Sequence, residues 1–134
     1  MKKILFGLLI AAISLITVAK AQTTKKVTGD TLTNSDTAYI TFTAIGSRLK
    51  AIQPSLTKLS GTVAGTVLLQ GTVDGTNWVN VNTDTLTLSN TPTINTKVWL
   101  ITAGTGYTSY RCRFYTSGTS TALAKAAWLR RTDD

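Results

Sequence analysis

The 134-residue chain predicts an all-β protein: a single antiparallel β-sandwich, jelly-roll-like or Ig-like, of seven or eight strands behind an N-terminal hydrophobic segment. Three observations carry this. β-Branched residues, threonine above all, crowd the sequence, while Glu is absent and Gln and Met are scarce. That balance favours pleated over helical backbone. Several short runs alternate apolar and polar residues with a period of two. Turn residues punctuate them at roughly ten-residue spacing, the rhythm of strands joined by short connections.

Residues 1–21 read as a secretory leader, a hydrophobic helix if retained. Lys2 and Lys3, an apolar run from Ile4 to Val18, and Ala19-Lys20-Ala21 before Gln22 are its three parts. As a helix the run would extend only about 22 Å at ~1.5 Å per residue, short of the ~30 Å hydrocarbon core. Cleavage is therefore expected, with the membrane met only transiently and the product exported to the periplasm or beyond. No cysteine stands at the end of the run, which excludes a lipoprotein. Of the formal charge of +8, Lys2, Lys3 and Lys20 belong to the leader; eleven basic and six acidic residues remain, a net +5. These charges are scattered rather than gathered in a stripe with interleaved aromatics, which argues against a nucleic-acid partner.

Residues 22–35 are polar and Thr-rich and read as a flexible lead-in, and residues 36–134 as the sandwich domain. Thr37 to Thr43 alternates, with Ile40 and Phe42 on one face and Tyr39, Thr41 and Thr43 on the other. Leu49 to Leu59 is a second strand; Pro54 within it predicts an edge or a bulge. Thr66 to Val73, the turn Asp74-Gly75 and the return Asn77 to Val81 form the clearest hairpin, because both turn residues tolerate positive φ. Short strands follow at Thr85 to Leu88 and Lys97 to Thr102, the latter with Trp99 and Ile101 opposite Val98 and Leu100. Tyr107 to Tyr115 and Thr121 to Arg130 read as a terminal pair joined through Gly118, with Ala122, Ala124 and Ala126 making one face slender enough for close packing. Asp30 to Thr37 is echoed by Asp84 to Thr91, reuse of one strand-and-turn pattern.

Missing residue types decide most of the chemistry. Without His there is no Ser-His or Cys-His nucleophile pair and no histidine metal ligand. The single Cys112 excludes an internal disulfide and a cysteine zinc site, and reads as a small buried hydrophobe. Among six Asp residues, Asp74 belongs to its turn, and Asp133 and Asp134 end the sequence. Spacing leaves a glycosidase-type Asp pair open, but nothing singles one out. Ser55-Leu56-Thr57-Lys58 matches the S-x-x-K of serine acyltransferases, yet it falls in a strand and no K-T-G accompanies it. The expectation is a protein that is not an enzyme, with no catalytic residue, metal or cofactor.

A binding surface is better supported. Tyr107, Arg111, Arg113 and Tyr115 fall on one face of their strand, and Tyr110, Cys112 and Phe114 on the other. Arg and Tyr often anchor interfaces, through planar hydrogen bonding and rigid contact area. The competing reading is a solvated face on which arginine stems cover tyrosine rings. Trp78, just past the hairpin turn, is placed to stack on a sugar, to pack into the core or to serve as a lid on the turn side.

The stretch from Gly65 to Trp78, GTVLLQGTVDGTNW, resembles a hairpin found in small β-sandwich structural proteins of bacteriophages, followed there by a Thr-rich strand and an aromatic-rich terminal strand. Val81 to Leu88 and Tyr107 to Tyr115 look similar to those strands, and the resemblance covers roughly residues 28–130. It implies a structural or decoration protein at the surface of a virion, acting by self-association or by docking on other virion proteins. The leader, which cytoplasmically assembled phage parts do not need, implies assembly at a membrane or a bacterial protein sharing the domain. The alternative is a secreted carbohydrate-binding or surface-adhesion module, with a surface glycan as partner.

Overall fold

Alternation along Thr37 to Thr43 becomes alternation in space: Ala38, Ile40 and Phe42 are buried, and Tyr39, Thr41 and Thr43 face solvent. The computed structural model describes residues 22–43, 48–81, 85–101 and 106–131. Within them it is all-β. In order the strands are β1 (Gln22–Thr33), β2 (Thr37–Thr43), β3 (Arg48–Gly61), β4 (Ala64–Thr72) and β5 (Val79–Asn80). They continue as β6 (Leu86–Leu88), β7 (Asn95–Thr96), β8 (Trp99–Leu100), β9 (Ser109–Ser117) and β10 (Ser120–Arg131). The leader lies outside the described residues.

Two antiparallel sheets result. The first runs β1-β10-β3-β7, with β8 also paired to β3; the second runs β2-β9-β4-β5, with β6 also paired to β4. The described residues thus hold ten strands rather than seven or eight. The excess has a simple cause: β7 and β8 share one lane beside β3, and β5 and β6 share one beside β4. Buried side chains from both sheets join one cluster. Phe42 of the second sheet stacks on Trp128 of the first, with ring centroids 5.1 Å apart. Ala122, Ala124 and Ala126 lie fully in this core, as their small size suggested.

Three local expectations change. First, Gln22 to Thr33 is a strand paired along β10, not a lead-in. Its apolar residues, Val27 and Leu32, are an odd number apart and fail a period-two test. A register shift between Thr28 and Thr31 supplies the extra residue.

Second, β3 is not an edge, because β10 pairs it on one side and β7 and β8 on the other. Pro54 is tolerated because its carbonyl faces the β7–β8 lane, accepting from Lys97 N at 3.4 Å and Thr96 Oγ1 at 2.9 Å. The ring nitrogen of the same residue faces the same side, where that lane is broken and asks for no donor.

Third, β9 and β10 do not pair; each lies in a different sheet. The chain changes sheet at Gly118 (φ 115°), where a Cβ would stand 2.7 Å from the Thr62 carbonyl. That carbonyl belongs to the neighbouring β3–β4 corner, tied across by Thr62 N donating to Thr119 O at 3.0 Å. The first copy of the sequence echo likewise ends at a sheet-changing corner, between β1 and β2, and the second between β6 and β7.

Candidate functional site

The outward face of the second sheet follows from strand parity. In β9, Tyr110, Cys112 and Phe114 are buried, so Arg111, Arg113 and Tyr115 point away from the core. The register sets Thr41, Tyr39 and Thr37 of β2 opposite them on one side. Gln70, Leu68 and Thr66 of β4 oppose them on the other.

Arg111 is the fixed point of this face. Its Cζ lies 4.3 Å from the ring centroid of Tyr39 and 4.3 Å from that of Trp78. Its Nε donates to Gln70 Oε1 at 2.8 Å, and Gln70 Nε2 donates to Asn80 Oδ1 at 3.1 Å. Two aromatic faces and an amide therefore hold one guanidinium, with each cation–π contact worth about 0.5–1 kcal/mol at an exposed site. Burial lowers the Arg111 pKa, Tyr39 opposes that shift and Arg113 adds to it. Guanidinium basicity is high enough that the charge persists at neutral pH.

Trp78 reaches this face because the hairpin loop is built around one carboxylate. Asp74 Oδ1 accepts from Thr72 Oγ1 at 2.9 Å, Thr76 N at 2.8 Å and Asn77 N at 2.7 Å. Asn77 Nδ2 donates to Asp74 Oδ2 at 2.6 Å. These donors, the Asn77 amide foremost, hold the Asp74 carboxyl well below the usual carboxylate range. The hairpin is thus present, but Asp74 shapes it through its side chain: Gly75 has positive φ (77°) and Asp74 does not.

Arg113 sits between Tyr39 and Leu68 across the two neighbouring strands. It is half-buried, and its Nε is buried without an acceptor. Tyr39 (50% exposed) is its cross-strand partner, and Tyr115 (43%) follows two residues along the same strand face. Neither arginine pairs with a carboxylate among the described residues.

Four of the five residues singled out in the sequence, Arg111, Arg113, Tyr115 and Trp78, therefore share one face. Tyr107 does not. Its ring covers Gly71, where a Cβ would come within 2.6 Å, and meets Tyr110 edge-on at 5.6 Å. Parity fails there because β9 begins at Ser109; Thr108 donates its N–H to Thr72 O at 2.9 Å and leaves the pleat. Tyr39 and Gln70 complete the face and were not singled out. The outward parity of Tyr39 was the available signal, but its strand's neighbour was not.

A second surface lies on the outside of the first sheet. Ala51, Gln53, Val98, Ala127, Trp128 and Leu129 line a shallow depression of about 230 Å³. Beside it Leu100 is 81% exposed on the short edge strand β8. Cys112 is in the core, and burial pushes its thiol well above the ordinary range. Among the described residues no group of three or more His, Cys, Asp or Glu is placed to hold a metal.

No protein-family model and no curated protein matches the chain. Comparison with solved structures gives likenesses at low identity. A subunit of the disulfide-linked pili that form Bacillus endospore appendages superposes with a TM-score of 0.50 at 15% identity, over 86% of this chain and 91% of that one. The Yersinia pseudotuberculosis-derived mitogen gives 0.49 at 13% identity, over 86% and 88%. A protein of the T13 particle of the virus IBDV gives 0.47 at 16% identity, over 81% of this chain but 31% of that one. The likeness to the appendage protein, at 15% identity, is one of fold alone.

Proposed function

We propose that the protein is a non-catalytic structural subunit, a decoration or surface component of a phage particle, that works through protein–protein contacts. The observation carrying this reading is the Arg111 clamp: a guanidinium immobilised between Tyr39 and Trp78, with Tyr39 and Tyr115 exposed beside it. Rigid aromatics and a pre-ordered arginine are what strong contact surfaces use, because little conformational freedom is left to lose on binding. Eight strand lanes, four in each sheet, support reading the two sheets as a jelly-roll sandwich. The apolar edge at Val98 and Leu100, on the other sheet, offers a second contact for self-association. A chain without His or Glu, its few Asp residues mostly occupied by turns, supports a role without catalysis. Export through residues 1–21 belongs to the same proposal and places the protein in the periplasm, outside the cell or on the virion.

The test is density-gradient sedimentation of the native protein with intact-mass measurement of each fraction. Wild type co-sedimenting with particles, and Arg111→Ala/Arg113→Ala remaining folded but soluble, supports the proposal. Wild type found only as a free species removes it. A secreted glycan-binding module is the alternative, favoured by the exposed rings of Tyr39 and Tyr115. It predicts glycan retention that Trp78→Ala abolishes, although one face of Trp78 is already covered by Arg111.

A further inference from the structure

We propose that the outward face of the second sheet docks an acidic protein segment, whose Asp or Glu carboxylate is received by Arg113. This rests on the protein-contact reading above and names the chemistry of the partner. Arg111 and Arg113 are next neighbours on one strand face, and like charges so placed repel. Neither has a carboxylate among the described residues to relieve that repulsion. Asp74, in the loop that presents Trp78, has both oxygens occupied by its own loop. A carboxylate from a partner supplies the missing counter-charge, and a second copy is poorly suited to be that partner, since without residues 1–21 the chain carries eleven basic and six acidic residues, a net +5.

The two arginines are prepared differently. Arg111 has its Nε committed to Gln70 and its Cζ 4.3 Å from the centroid of each of two rings, so it holds a fixed positive charge at the edge of the site. Arg113 has its Nε buried without an acceptor, and leaving such a donor unmet is unfavourable. A carboxylate engages the Nε edge of a guanidinium with two parallel hydrogen bonds, an arrangement that lysine cannot reproduce.

Shape selects the carrier. Arg113 is half-buried with its Nε buried, beside the more exposed Tyr39 and Tyr115 and opposite Leu68 of β4. An Asp or Glu carboxylate rides on a narrow methylene stem and can reach a buried group, with the side-chain adjustment common at interfaces. A uronic-acid carboxylate is fixed directly to a wide sugar ring and has no such stem with which to reach a buried Nε.

The experiment measures binding of the full exported chain to immobilised poly-L-glutamate and, in parallel, to polygalacturonate. Arg113→Lys keeps the charge and the stem and should weaken poly-L-glutamate binding about tenfold. Lys125→Gln removes a charge from an exposed position on the first sheet and should leave binding within about twofold, since charges a Debye length away are screened. Equal binding by Arg113→Lys and wild type overturns the inference, as does an equal loss in Lys125→Gln, which would mark nonspecific charge attraction. Tighter binding to polygalacturonate overturns it in favour of an acidic glycan. If wild type co-sediments with particles yet ignores poly-L-glutamate, this inference alone fails. Binding to poly-L-glutamate without particle association leaves the acidic site standing and removes the assembly reading.

Discussion

Arg111 joins three separate stretches of sequence: Tyr39 from β2, Gln70 from β4 and Trp78 from the loop after it. Arg111→Ala should cost about 1–2 kcal/mol from the lost ring contacts and hydrogen bond, read by urea denaturation. Cys112 supplies a pH prediction. Its folded pKa is raised by burial, so its contribution to stability is complete below the unfolded thiol value of about 8.5 and declines as pH rises above it. The slope from this group should approach about 1.4 kcal/mol per pH unit and be missing in Cys112→Ala. Parity in the sequence sorted the residues of β9 correctly into inward and outward sets. It could not show that Tyr39 is their neighbour, because a period of two fixes a face and leaves strand order open.

Among the elements, the hairpin and the corners show how local chemistry positions the site. Asp74→Ala should loosen the loop and speed hydrogen exchange at the Thr76 and Asn77 amides, which it now accepts. Because the Asp74 carboxyl is held low, its contribution is present above the unfolded value of about 3.9 and is lost as pH falls through the folded one. Gly118→Ala should lower stability by at least ~1 kcal/mol in thermal melts, since its φ and the nearby Thr62 carbonyl both exclude a side chain. Asp-Gly between two β-rich runs announced the hairpin. Ser-Gly at 117–118 looked much the same locally yet turns the chain into the other sheet. Which turn closes a ladder and which changes sheet depends on partners distant in sequence, and β1 was obscured by its bulge for a related reason.

At the scale of the molecule, two different outward surfaces lie on two different sheets: a cationic aromatic face on the second and an apolar edge on the first. Unlike surfaces on one molecule suit assembly with other proteins more than a symmetric pair. Leu100→Lys should reduce self-association in sedimentation-velocity runs and leave the fold intact, because the side chain is largely in water. The central claim is that the outward face of the second sheet is a contact surface. Oxidative footprinting of Tyr39 and Tyr115, in free and particle-associated protein, tests it most directly. Strong protection of both rings in the particle-associated fraction is the predicted result, and equal labelling in the two fractions would contradict it.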